Sequence, residues 1–344
     1  MENKKPRREI VRCYTGSDLL RFGDTVYEPL VEGIMHRGDL VMMSGLPKSN
    51  KSTFAMQLAC SLSTGTPFLG TLSVPKPGTT WYFSTEGKDD EMRERLLRMS
   101  HAVPVDLDRI KLFCSSQFKV NTPIGQKIIT DTVTRYADSL PDLIILDSLY
   151  SCFKGKLTED DVVNEYLTIL RNFSEICGDA TIFLFHHLKK QIKTPTGDLI
   201  RQDTNDSFGS VFFVGQADHV FTIAKSNKNK MDRLVTCDVQ RSNRIVDELY
   251  LHLNQPDPFY LSLANKHDAE RDAVIKLLTT AKTGLSAQEI IETADISKSL
   301  GYIILGELER NNRVTKSKGY AGLYTLAKAG ISGEVFENSP ISIL

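Results

Sequence analysis

Short apolar runs alternate with longer amphipathic stretches along most of this chain. The runs at residues 40–44, 80–84, 110–114, 143–146 and 181–185 are built largely from Val, Ile, Leu, Phe and Tyr. Runs of that length and composition predict central strands buried on both faces. Between them, residues 52–62, 90–99, 125–138 and 161–177 carry helical periodicity. Strand and helix in alternation predict an α/β fold with a mostly parallel sheet. Beyond Gln216 the pattern changes to short strands at 220–224, 234–238 and 249–253, separated by charged turns. These predict antiparallel strands added at the edge of the sheet.

A second unit is expected from His267 onward. Residues 269–280 form an amphipathic stretch, and Ser286 with Glu289 three positions later has the form of a capping box. A third helix is predicted over 297–311. Residues 314–320 and 323–326 then read as a hairpin with Lys316 and Lys318 toward its tip. Three helices followed by a basic hairpin resemble a winged helix-turn-helix domain. The division expected is a polar arm over 1–36, a first domain over 37–262, a winged-helix-like domain over 267–328 and a tail over 329–344.

One loop carries the most chemistry. Gly45-Leu46-Pro47-Lys48-Ser49-Asn50-Lys51-Ser52-Thr53 lies between the first predicted strand and the first predicted helix. Strand, tight loop and helix with Lys-Ser/Thr at its start is the layout of a P-loop. Its N–H groups and the positive end of the helix suit a phosphate. Lys51 would reach the β- and γ-phosphates, and Ser52 would hold Mg²⁺. Asn50 stands where the motif has its second Gly. Asn is the residue besides Gly that best tolerates a left-handed backbone, so the loop is expected to close.

Two further strands end in carboxylates. Asp147 follows the apolar run Leu143-Ile144-Ile145-Leu146 and has the position of a second Mg²⁺-holding group. Glu86 ends the run Trp81-Tyr82-Phe83-Ser84-Thr85. If that strand neighbours the P-loop strand, Glu86 sits at the ligand-binding sheet edge as the general base for a water. His186 and His187 end another strand, where one could sense a γ-phosphate. The long polar stretch that follows carries Lys189, Lys190, Lys193 and Arg201, read either as phosphate-backbone contacts or as a solvated loop. Arg241 and Arg244 end a late strand. An arginine finger toward a neighbouring subunit and a surface turn are both open readings.

Composition narrows the class without choosing a function. The 344 residues are 41% hydrophobic and 25% charged, ordinary for a globular protein. A net charge of −1 means that any nucleic-acid contact must come from local patches. Six scattered cysteines without a CxxC pair point to reduced thiols and a cytoplasmic setting rather than a disulfide or zinc framework. No secretory segment or membrane span is expected.

Taken together, the loop at 45–53, Glu86, Asp147-Ser148, His186-His187 and Arg241 resemble the RecA-like ATPases. Within these, the chain is similar to the hexameric replicative helicases of plasmids, phages and mobile elements. The resemblance implies ATP and Mg²⁺ as cofactors, Glu86 as catalytic base, His187 as γ-phosphate sensor, and Arg241 with Arg244 as trans-acting fingers. It implies a homo-oligomeric ring, a hexamer, with the loop after His187 touching single-stranded DNA. The winged-helix likeness adds duplex DNA as a partner. Two alternatives stand beside the motor: a filament-forming recombinase-like repair ATPase, and a nucleotide-switched DNA-binding regulator or loader with slow turnover.

Overall fold

The computed structural model describes residues 15–21, 28–85, 89–115, 118–156, 159–188, 211–226, 229–241, 245–264, 267–281, 283–317 and 322–327. In chain order the elements begin with α1 (Gly16–Arg21), β1 (Pro29–Val31), β2 (Met35–His36), β3 (Leu40–Gly45), α2 (Lys51–Thr64), β4 (Thr80–Ser84) and α3 (Asp89–Ser100). They continue with β5 (Ile110–Cys114), α4 (Pro123–Arg135), β6 (Leu143–Asp147), α5 (Leu149–Cys152), α6 (Asp160–Ile176) and β7 (Thr181–His187). Next come α7 (Val211–Gln216), β8 (His219–Lys225), β9 (Asp232–Gln240), β10 (Glu248–Asn254) and β11 (Tyr260–Leu263). The last are α8 (Asp268–Thr280), α9 (Ala287–Thr293), α10 (Lys298–Arg310), β12 (Val314–Lys316) and β13 (Tyr324–Leu326).

Among the described residues the central sheet has nine strands in the order β11-β10-β9-β8-β3-β7-β6-β4-β5. From β8 to β5 every pairing is parallel, and β9, β10 and β11 extend the sheet antiparallel. The fold is therefore the expected α/β class, a mostly parallel sheet with antiparallel edge strands. Its strands are apolar at successive positions because both faces are covered. Val41, Met43, Tyr82, Ile145, Phe183 and Phe185 pack with Phe54 and Leu58 of α2 on one face. Trp81, Phe83, Ile144, Leu146 and Leu184 pack with Ile129 of α4 and Leu170 and Phe173 of α6 on the other. The side-chain period of two assigns alternate residues of one strand to opposite layers.

One expected adjacency fails. The strand that leads to Glu86, β4, lies between β6 and β5, and β7 and β6 separate it from the P-loop strand β3. The parallel direction still brings its C-terminal end to the same sheet edge. The elements α8 to β13 fold around a cluster of their own, with Val274, Leu278, Ile290, Ile304, Leu305, Leu308, Val314 and Tyr324 buried together. Ser286 caps α9 in the capping box read from sequence, and Arg271 on α8 pairs with Glu307 on α10 at 2.9 Å. Among the described residues no helix is long and apolar enough to cross a membrane. The basic arm, Lys189, Lys190, Lys193, Arg201, Lys318, Glu86, Arg244 and the tail lie outside the described residues.

Candidate active site

The loop that closes β3 onto α2 turns in left-handed steps. Lys48 has φ 64° and Asn50 has φ 75°. Alternating backbone handedness of this kind turns successive N–H groups into one concavity, which suits an anion. Asn50 thus holds the conformation in which the motif has Gly. Gly45 is demanded by space: a Cβ there would lie 2.6 Å from Ile223 O and 2.7 Å from Ser49 Oγ. Lys51 is buried, and its Nζ donates to Gly45 O at 2.8 Å and Leu46 O at 3.1 Å. These bonds fold the lysine over the loop it belongs to.

Asn50 is also held from outside the loop. Arg233, on β9 and 4% exposed, donates from Nε and Nη2 to Asn50 Oδ1 at 2.9 and 2.6 Å. The guanidinium is completed by Lys230 O at 2.7 Å and Asp232 O at 2.8 Å. Burial pulls the Arg233 pKa down, and Asp232 opposes that shift. On the other side, Asn50 Nδ2 donates to Thr53 Oγ1 at 3.2 Å. The side chain at the non-Gly position therefore bridges the antiparallel extension and the P-loop helix.

Asp147 ends β6 at the same edge. The buried Tyr82 hydroxyl donates to Asp147 Oδ2 at 2.7 Å and also hydrogen-bonds with the Ser52 side chain. Burial is the first cause that raises the Tyr82 pKa far above its ordinary range, and the Asp147 charge is the second. The phenol stays protonated and donates. Ser52, Tyr82 and Asp147 thus form one polar chain at the bottom of the loop. Arg95 on α3 adds positive charge toward Tyr82. Thr85, the residue before Glu86, donates from N to Asp147 O at 2.9 Å and from Oγ1 to the same oxygen at 3.1 Å. The residue that precedes Glu86 is therefore tied to Asp147.

His187 pairs in register with Gly45, and His186 with Ser44, so the two histidines end β7 beside the P-loop strand. His186 is buried and His187 partly so. Arg241 goes elsewhere. It follows β9, which runs antiparallel to β8, so it lies at the opposite sheet edge from Gly45 of its own chain. There its Nη2 donates to Gly215 O at 2.7 Å and its Nη1 pairs with Asp218 at 3.4 Å. Lys316 is exposed on β12, with Nζ 5.3 Å from the Tyr324 ring centroid.

Two functional candidates escaped the sequence. Tyr82 reads as one more aromatic in a buried strand, and nothing in its spacing marks the hydroxyl. Arg233 reads as a charge in a late turn. Only the strand order brings each to the loop. The residues present fit a magnesium nucleotide: the loop concavity and Lys51 suit phosphate, and Ser52 with Asp147 offers the hard oxygen donors that Mg²⁺ requires.

The family model that matches is that of an AAA domain, over residues 15–192. Among curated proteins none matches. Among solved structures, the RadB recombinase is similar at 17% identity and TM-score 0.44, covering 67% of this chain and 92% of its own. A KaiC-like protein from the archaeon Pyrococcus horikoshii is similar at 16% identity and TM-score 0.45, covering 70% of this chain and 95% of its own.

Proposed function

The chain belongs to the AAA domain family, and we propose that it is an ATP-hydrolysing motor that acts on DNA as a helicase or translocase. The observation that carries the nucleotide part is the meeting of the P-loop, Ser52, Tyr82, Asp147 and His187 at one sheet edge. Lys51 and the loop amides would bind the phosphates. Ser52 and Asp147 would hold Mg²⁺, which supplies charge neutralisation at the transferring phosphoryl group. Tyr82 orients Asp147, and His187 stands where a γ-phosphate could be sensed. Glu86 is proposed as the base that polarises the attacking water.

The DNA part is supported by the resemblance stated above and by the basic residues. Lys189, Lys190, Lys193 and Arg201 would contact single-stranded DNA. Lys316 and Lys318 would contact duplex DNA from a winged helix over 267–328. Arg241 and Arg244 would serve a neighbouring subunit of a homo-oligomeric ring, a hexamer. The position of Arg241 away from its own P-loop suits a trans role and not a cis one.

A second reading is favoured by Asn50. A P-loop braced by Arg233 through a side chain is stiffer than one closed by Gly. That suits a nucleotide-switched DNA-binding regulator with slow turnover. Steady-state ATP turnover with and without single-stranded DNA, with Lys51→Ala as the blank, separates the two. Stimulation that disappears in Lys51→Ala supports the motor. ATP binding with negligible turnover under both conditions supports the switch. Open filaments in micrographs would replace the ring with the recombinase-like reading.

A further inference from the structure

At the sheet edge opposite the P-loop, three buried or nearly buried side chains converge. His36 ends β2, Asp39 immediately precedes β3, and His219 opens β8. His36 and His219 are 5% and 1% exposed. His36 Nδ1 lies 3.3 Å and His219 Nε2 3.2 Å from Asp39 Oδ2. One donor atom from each residue lies within 4.8 Å of the others. We propose that His36, Asp39 and His219 form a binding site for a divalent transition metal, zinc in the first instance.

Three arguments support a cation over a plain hydrogen-bonded cluster. First, Asp39 Oδ2 already accepts from the His36 backbone N at 2.7 Å. Two imidazole N–H groups on the same oxygen would give it three donors, more than its lone pairs serve well. Nitrogen lone pairs directed at a shared cation remove that conflict. Second, the two distances to Asp39 suit the ion. Donors about 2.0–2.1 Å from a tetrahedral zinc sit about 3.3 Å from each other. The two measured edges are 3.3 and 3.2 Å. Third, two imidazoles and one carboxylate are a donor set that zinc favours, and they leave a fourth position for water.

The surroundings leave the cluster to such an ion. Arg37 is turned away into an ion pair with Asp142 at 2.6 Å, and Arg241 is held by Gly215 and Asp218. Asp218 accepts from Leu40 N at 2.9 Å. Asp39 is 16% exposed and supplies the entry path. Thr181 Oγ1 donates to His36 O at 2.8 Å, so the backbone of the site is already anchored to β7. The β3 strand, about 20 Å at 3.3 Å per residue, separates this site from the P-loop. The metal would pin the β1–β2 hairpin to the centre of the sheet, independently of the nucleotide reading.

The test uses the full chain, stripped with chelator and kept free of nucleotide in excess Mg²⁺. Co²⁺ is titrated and followed by visible absorption, and zinc is followed by metal analysis and melting. One equivalent of Co²⁺ per chain is expected, with tetrahedral d–d bands and no thiolate charge-transfer band. Binding should be lost in His219→Gln and in Asp39→Asn and kept in Asp147→Asn. Zinc at a hundredfold excess over its Kd should raise Tm by about 5 °C in the wild type and not in His219→Gln. A wild-type chain that neither retains metal nor responds to it overturns the proposal, whether or not the variants fold. So does a thiolate charge-transfer band, or undiminished binding by folded His219→Gln.

Discussion

Replacing Arg233 by Met tests whether the Asn50 side chain has taken over the work of a P-loop glycine. The substitution keeps most of the apolar stem but removes donors to Asn50 Oδ1 at 2.9 and 2.6 Å, Lys230 O at 2.7 Å and Asp232 O at 2.8 Å. Hydrogen bonds from a charged group contribute about 1.5–3 kcal/mol each, but these four share one guanidinium and one desolvation cost. The expected loss is about 2–4 kcal/mol of unfolding free energy. Asn50→Gly relieves a left-handed residue, a gain of about 1 kcal/mol, and strands two guanidinium N–H groups, a loss of about 1–3 kcal/mol. It should therefore be neutral to mildly destabilising. In the Asn50→Gly background Arg233 has already lost its partner in the loop. The double variant should be more stable than the sum of the single effects implies, with a coupling of about 1–2 kcal/mol. Urea unfolding of the four proteins measures this. ATP affinity measured on the same set should fall about 10-fold in Arg233→Met, from loss of loop order. Additive stabilities within about 0.5 kcal/mol would refute the reasoning, because distant, independent sites behave that way.

Tyr82→Phe should raise the Mg²⁺ concentration needed for ATP binding about 5- to 20-fold by freeing Asp147, measured by nucleotide titration at stepped Mg²⁺. An unchanged Mg²⁺ dependence would mean that the 2.7 Å bond is structural only. Gly45→Ala should cost about 1–3 kcal/mol and abolish ATP binding, since Ile223 O and Ser49 Oγ occupy the space of its Cβ; thermal melting and titration check both. Burial pushes the Cys60 and Cys177 thiols up to about 12 and Cys237 to about 11. The folded chain then holds protons that the unfolded chain releases above about 9. Stability from this source is complete below pH 9 and falls as pH rises toward 11–12, which urea unfolding at stepped pH will show. Native Cys60 and Cys177 should resist alkylation at pH 8 that labels them in urea.

Much of the fold was legible because it is built from local signals. Strands β4 and β5 have the very bounds that their apolar runs predict, and β3 gains only Gly45. Helix α10, Lys298–Arg310 with Ser297 as its cap, fills the predicted 297–311. What the chain missed were β11, whose Leu261 is tied to Gln57 of α2 through N and O at 2.7 Å each, and the short β1–β2 hairpin. Both pair with a strand close by in sequence, β11 with β10 and β1 with β2, but each segment is only two to four residues long, too short to show a period.

The same division runs through the site. The sequence by itself determined the P-loop, the left-handed tolerance of Asn50, the carboxylate Asp147 and the strand-end histidines. Each rests on residue type at fixed local spacing, which backbone sterics and strand length translate directly into position. Only the tertiary structure decided that two strands, β7 and β6, stand between β4 and β3, that Tyr82 reaches Asp147, and that Arg233 rather than Arg241 meets the loop of its own chain. It alone gathered His36, Asp39 and His219 at one point. Strand order sets these meetings, and strand order is chosen by the summed burial of both sheet faces, a quantity that no single stretch of sequence contains.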